Sequence, residues 1–387
     1  MLLWGISKGK KKPFRPYDTV MVIYDPPALP LLEALHKKLV TRRMNVVTRA
    51  AMNPSMEYNF LGLSDKKQRQ FISPGDRELY RNLNGYIFLH APASLTHLKD
   101  IEPSRINDIM ITRKKLREIL NQREAAGSFN WTLCTYPTEA LAKQARATMK
   151  EYAAQIIRAC YLNDPDPVKQ WNEIYGGAGE VKDWLNSLPI KTLFIESASM
   201  EMEIDPGEKR RFVGVSGRNI PSFEIFTSPD WRGVRGHYYA DMPSFRNGNY
   251  VEGVRLYFEK GVVAAASAKK SEAFLLKALA MDRGASRVGE FSLTDKRFSR
   301  INRFMADTLF DENYGGAYGN CHIALGSSYD NTYRGDPSKL DKKAKQALGY
   351  NDSALHWDLV NTENKTVTAL LKNGKKTLIY EKGMFRY

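Results

Sequence analysis

Residues 18–25 read DTVMVIYD, and residues 28–43 follow as ALPLLEALHKKLVTRR. The first is a short apolar run of strand length and the second spaces its leucines for one helical face, so together they predict a buried strand leading into an amphipathic helix. The pair then repeats. NVVTRA (45–50) reads as a strand, SPGDRELYRNLN (73–84) as a helix and GYIFLHAP (85–92) as a strand. TRKKLREILNQREAAG (112–127) is a helix stopped by Gly127, and NWTLCTY (130–136) is another strand. After Pro137 and Thr138 the spacing predicts one long amphipathic helix to about Leu162. Strands alternating with helices of this length require right-handed crossovers and a parallel sheet covered on both faces, which is an α/β Rossmann-like N-terminal domain. Its first turn, DPPALP (25–30), lacks the G-x-G-x-x-G that admits a pyrophosphate, so no dinucleotide site is expected there. The glycines of YGGAGE (175–180) follow a helix and read as a turn.

Around residue 190 the texture changes. IKTLFIES (190–197), SMEMEID (199–205), RRFVGV (210–215), GVRGHYYAD (233–241), GVRLYFEKGVVAAASA (253–268) and KTVTALLKNGKKTLIYEKG (365–383) alternate apolar with polar residues between Gly, Asn and Pro turns. They predict antiparallel strands, interrupted by a helix at KSEAFLLKALAMD (270–282). The expected second domain is therefore α+β around a curved antiparallel sheet. With 387 residues, more than one core keeps growing to fill, the division expected is 1–188 and 189–387.

The formal charge is +15, which invites a nucleic-acid reading. Residues 1–190 hold 28 Lys+Arg against 19 Asp+Glu (+9), and residues 191–387 hold 30 against 24 (+6), so the excess is spread and no nucleic-acid partner is expected. The densest run, Lys8, Lys10, Lys11 and Lys12, reads as a solvated arm. MLLWGISKGKKK (1–12) has its short apolar run before the charges, unlike a secretory signal, and no 18-residue apolar stretch is present to span a bilayer. Three scattered cysteines, Cys134, Cys160 and Cys321, form no C-x-x-C pair, which fits a reducing, cytoplasmic setting and excludes a thiolate zinc knuckle. His36, His90 and His97 stand without a second ligand-type residue at useful spacing and read as packed or solvated.

The chemistry gathers in the second half. In SALHWDLV (353–360), His356 and Asp358 share one face of a strand while Leu355, Trp357 and Leu359 take the other. Either they are two metal ligands side by side or a surface pair flanking a buried Trp. In GNCHIALG (319–326), His322 shares a face with Asn320 and Ala324, with Cys321, Ile323 and Leu325 opposite. Glu224 in PSFEIFTSP (221–229) and Glu290 in VGEFSL (288–293) sit in apolar company, where a carboxylate is solvated, paired or metal-bound. Glu312 follows Asp311 and precedes Asn313, and Tyr329 lies seven residues beyond His322. Two glutamates, two histidines and an aspartate make a mixed nitrogen and oxygen set sufficient for two divalent cations.

NIPSFEIFTSPD (219–230), GASRVGEFSL (284–293), TLFDEN (308–313), CHIALGSSY (321–329) and NDSALHWD (351–358) together, in this order, resemble the M29 family of metallo-aminopeptidases, the group of thermophilic aminopeptidase T and aminopeptidase S. The resemblance covers most of residues 200–360, the first half matching mainly in architecture. It implies a two-metal site (Zn, Co, Mn or Mg) on Glu224, Glu290, His322, His356 and Asp358, hydrolysing peptides with a free N-terminus through a shared water. It further implies Tyr329 as a ligand or as a donor to the reacting carbonyl, Glu312 as the general base, and a homodimer. Two features depart from the family pattern. YGGAYGN (314–320) is longer than the few small residues expected between DEN and CH, and HWDLV stands in place of His-x-Asp-Phe-Met. Gly315, Gly316 and Gly319 in that stretch are expected to turn the backbone sharply between Glu312 and the strand of His322. Two further readings stay open on residues alone: a metal-dependent amidohydrolase acting on small molecules, and a basic module that binds nucleic acid.

Overall fold

The structure, a computed structural model, describes residues 1–10 and 12–387; Lys11 of the basic run lies outside the described residues. The chain divides into two compact units, one of residues 1–160, 216–221 and 247–249, the other of residues 161–215, 222–246 and 250–387.

In the first unit β1 (Thr19–Tyr24), β2 (Asn45–Ala50), β3 (Gly85–His90) and β4 (Asn130–Thr135) form a parallel sheet in the order β2-β1-β3-β4, extended by the two-residue strand Asn219–Ile220. Val20, Met21 and Val22 are all buried, so β1 is covered on both faces, which is why its sequence is a continuous apolar run instead of an alternation. Helix Leu29–Thr41 buries Leu32, Leu35 and Leu39 at spacings of three and four.

Two expectations in this unit are corrected. The single helix expected up to Leu162 is two, Glu139–Gln144 and Met149–Ala159, because Arg146 takes φ 53° and Thr148 with Glu151 closes a capping box that starts the second. The solvated basic arm holds only in part: Lys8 and Lys12 are exposed, whereas Lys10 is packed. Helix Leu2–Lys8 buries Leu2 and Ile6, and Lys10 lies 3.2 Å from Asp18 and 3.7 Å over the Phe14 ring with its side chain 3% exposed. Burial lowers the Lys10 pKa against the pull of Asp18. Among the three histidines of this unit, His90 meets Asp25 at 3.2 Å and His97 meets Glu57 at 2.9 Å.

In the second unit most of the antiparallel strands form two larger sheets. One has eight strands in the order 262–267, 254–259, 234–240, 201–204, 190–197, 365–371, 376–381 and 384–385. The other orders β8 (His356–Asn361), β7 (Asn320–Gly326), β6 (Val288–Thr294) and β5 (Glu224–Thr227) with Val213–Gly214 at its edge. The back of this smaller sheet is apolar: Phe223, Ile225, Phe291, Leu293, Ile323, Trp357 and Leu359 are at most 2% exposed. Trp171 stacks on Phe223, and the Tyr238 hydroxyl donates to the Leu359 carbonyl at 2.6 Å, so the back is both packed and tied.

Trp171 comes from helix Pro167–Ser187, which runs straight through the glycines expected to turn at 175–180. Burial of Trp171, Ile174, Ala178, Val181 and Leu185 along one face outweighs a helix-interior glycine cost of about 1 kcal/mol each. The expected boundary at 188/189 falls at the end of this helix, which belongs with the second unit. No helix among the described residues is long and apolar enough to cross a membrane.

Candidate metal centre

The period of two along a strand decides which side chains meet on the front of the smaller sheet. Registry places Ala324 of β7 between Glu290 of β6 and Asp358 of β8. One step along, His322 stands opposite Ser292, and Gly326 stands opposite His356. The methyl of Ala324 leaves room between the two carboxylates, and at Gly326, where φ is +105°, a Cβ would meet the Leu355 carbonyl oxygen at 2.1 Å. A bulge at Gly289 sets Glu290 into this register, and a Cβ there would lie 2.3 Å from the Gly326 carbonyl oxygen. Glu224, on β5, completes the front from the far side of β6.

These side chains converge. His322 Nε2 lies 3.1 Å from Glu290 Oε1, 3.4 Å from Glu224 Oε2 and 3.9 Å from Asp358 Oδ1. His356 Nε2 lies 3.5 Å from Asp358 Oδ1 and 3.8 Å from Glu290 Oε2. Glu224, Glu290 and His322 each offer an atom within 4.8 Å of the others, a spacing that can hold a metal ion. His356 Nδ1 is 2.9 Å from the Ser327 carbonyl, so that nitrogen carries the proton and Nε2 faces the cluster with its lone pair, the usual outer-sphere arrangement of a metal-binding histidine. His322 Nδ1, by contrast, is buried without a hydrogen-bond partner.

Electrostatics gives the cluster its character. Burial pushes Glu224 up to about 8, with Glu290 adding and His322 opposing, and burial with the charges of Glu224, Asp358 and Glu290 holds Glu312 well above the carboxylate range. Burial pulls the imidazoles down, but hydrogen bonding to Glu290 and the charges of Glu224 and Asp358 win at His322, which rises to about 9. At His356 the neighbouring Asp358 wins in the same way, again to about 9. Burial works against Asp358, yet His356, His322 and Arg246 bring it down to about 2. Each converging atom is an acceptor unless a proton is added, so a cation belongs where they meet. The donors fit a divalent metal of the imidazole and carboxylate type, with no thiolate among them.

Glu312 is buried at the end of the short helix Thr308–Asp311, and Gly319 allows the following loop to reach β7: its φ is +58°, and a Cβ there would meet the Thr294 carbonyl oxygen at 2.4 Å. Of the other loop glycines, Gly316 also takes a positive φ, +40°, whereas Gly315 is held close against the Ser299 carbonyl. Beyond β7 the backbone amide of Tyr329 donates to Ser228 Oγ at 2.8 Å, and its ring meets His356 edge-on at 4.8 Å and Phe226 at 5.6 Å. The residue is 42% exposed as a whole, and desolvation with the charges of Glu290, Asp358, Glu312 and Glu224 raises the phenol well above its usual value. Strand reasoning missed Arg246. Its guanidinium donates to the His356 carbonyl at 2.7 Å and lies over Trp357, and burial lowers its pKa to about 10 against the pull of Asp358. No spacing rule links residue 246 to 356, so only the fold reveals it.

The sequence profile of a family described as thermophilic metalloprotease (M29) matches residues 6–385. Aminopeptidase 2 of Geobacillus stearothermophilus is 28% identical over 330 residues, covering 80% of this chain and 78% of that protein. Aminopeptidase AmpS of Bacillus subtilis is 26% identical over 337 residues, covering 82% and 80%. Among solved structures, wild-type AmpT from Thermus thermophilus superposes with a TM-score of 0.80 over 100% of this chain and 98% of its own, at 19% identity, a likeness of fold.

Proposed function

The chain belongs to the thermophilic metalloprotease family M29 and is a peptide hydrolase, and from that premise we propose that it is an aminopeptidase working with two divalent cations held by Glu224, Glu290, His322, His356 and Asp358. The observation that carries this reading is the charge of the buried cluster. Glu224, Glu290, Glu312 and Asp358 bring four carboxylates together around two imidazoles. Ionised without partners, such groups cost several kcal/mol each, a cost that divalent cations at their meeting point would offset.

When bound, such ions polarise the scissile carbonyl and make a water acidic enough to attack near neutral pH. The protein's own groups do the rest. Glu312 takes the proton from the attacking water and delivers it to the leaving amine, a task suited to a carboxyl whose proton affinity burial has raised. Tyr329, held against His356, donates from its hydroxyl to the carbonyl oxygen as charge develops there. A phenol that keeps its proton far above neutral pH is a better donor than ligand. All these residues lie within 189–387, which is taken as the catalytic part of the chain, and a homodimer is part of the proposal, checked by light scattering.

The test compares an amino-acid anilide bearing a free amine with its N-acetylated form. The free substrate is expected to be cleaved, with activity lost on chelation and restored by added Zn, Co or Mn, and the blocked one spared. Equal cleavage of both would replace the aminopeptidase reading with that of a general amidohydrolase.

A further inference from the structure

Asn313 is completely buried beside Glu312, and its side-chain amide has all of its polar capacity engaged. Oδ1 accepts from the backbone amides of Phe223, at 2.5 Å, and Glu224, at 3.1 Å. Nδ2 donates to the Leu309 carbonyl at 2.9 Å and to Glu312 Oε1 at 3.3 Å. Two backbone donors on one side and two acceptors on the other fix the amide's orientation and exclude every other residue type of this size. Aspartate would turn the donor into a second carboxylate facing Glu312, and leucine would leave two amides and a carbonyl unpaired. The backbone around the pair is pinned as well. The Glu312 carbonyl accepts from Asn320 Nδ2 at 3.1 Å, and the Asn313 carbonyl accepts from Ser299 Oγ at 2.5 Å.

We infer that Asn313 is the positioning residue of the catalytic base, tying the Glu312 carboxylate to the backbone of the strand that presents Glu224. This rests on the reading of Glu312 as the base given above. A glutamate reaches its proton through three rotatable bonds, and a misplacement of about 1 Å costs as much as 10²-fold in rate. One amide that binds the base and the ligand strand together removes that freedom. Glu312 leads out of a four-residue helix that would not by itself hold the carboxylate in register with β5.

A double-mutant cycle tests the inference, with Asn313→Asp as the isosteric variant, Asn313→Ser as a neutral one that is too short to reach, and Glu312→Gln as the partner change. Each protein is loaded with zinc and read for zinc content, melting temperature, KM and kcat. Both Asn313 variants are expected to keep zinc and to change KM by less than about twofold. Their kcat should fall by 10-fold or more, up to the loss shown by Glu312→Gln, itself about 10² to 10⁴-fold for a general base. In the Glu312→Gln background, changing Asn313 should cost little more, since a residue acting through another loses its effect when that other is gone. Losses that multiply would overturn the inference, as would a wild-type kcat in either variant, or a decline that tracks zinc content or folded fraction alone. If Glu312→Gln by itself retained full kcat, the assignment of the base would fall instead, a result distinct from the others.

Discussion

At His322 an imidazole with no exposure faces three carboxylates, and proton and metal compete for the same lone pair. That competition fixes a pH dependence. In metal-free protein His322 and His356 rise from 6.5 to about 9, so the stability they contribute is complete below pH 6.5 and is lost as pH rises through 9. Glu224, raised from 4.5 to about 8, adds a loss that begins above pH 4.5 and is complete near pH 8, whereas Asp358, lowered from 3.8 to about 2, contributes above pH 3.8 and loses its share as pH falls through 2. Calorimetry of the metal-free protein should therefore show the melting temperature falling from pH 6.5 to 9. Zinc-loaded protein should show the reverse, because binding must expel those protons. A metal-free melting temperature that climbs over this range would contradict the assignment. Tyr329→Phe is expected to lower kcat by about 10² to 10³ while leaving metal content unchanged, if the hydroxyl acts as a donor. Loss of metal in that variant would make Tyr329 a ligand. Arg246→Ala, which removes the donor to the His356 carbonyl, is expected to weaken zinc binding by about 10 to 100-fold in a competition titration with a chelating dye.

Single elements show where the sequence speaks and where it is silent. The pairing of His356 with Asp358, and of His322 with Ala324, was legible because alternation along a strand is a property of the backbone alone. That the two strands are neighbours, with Ala324 between two carboxylates, was not legible, because registry is set by the whole sheet. Glu312 caps a four-residue helix too short for any periodicity, so it came from resemblance to a family and not from pattern. The glycines at 175–180 misled for the opposite reason: local preference pointed to a turn, and burial of Trp171, Ile174 and Val181 overrode it. Gly176 within that helix has open space where a methyl group would stand, with nothing within 4 Å, so Gly176→Ala should stabilise the protein by roughly 0.5–1 kcal/mol in urea unfolding. Gly289→Ala should do the reverse, by about 1–3 kcal/mol and with loss of zinc, because its methyl would displace the strand that presents Glu290.

For the whole molecule, the parallel sheet of the first unit was readable from helix and strand spacing, as was the antiparallel character of the second. The division of the antiparallel strands into two sheets was not, since strand sequences alternate in the same way whichever sheet they join. Residues 216–221, which return to the first unit and add Asn219–Ile220 beside β4, are too few to carry a period at all. The charge of +15 gives no sign of the acidic cluster, which is buried inside a basic chain. The claim on which the account rests is that this cluster holds divalent cations that hydrolysis requires. Metal analysis of the purified protein and of His322→Ala, with peptidase activity measured before and after chelation, tests it most directly. Up to two divalent ions per chain are expected, with activity abolished by chelation and restored by the cation, and both lost in the variant. Full activity in the metal-stripped protein, or unchanged metal content in His322→Ala, would contradict it.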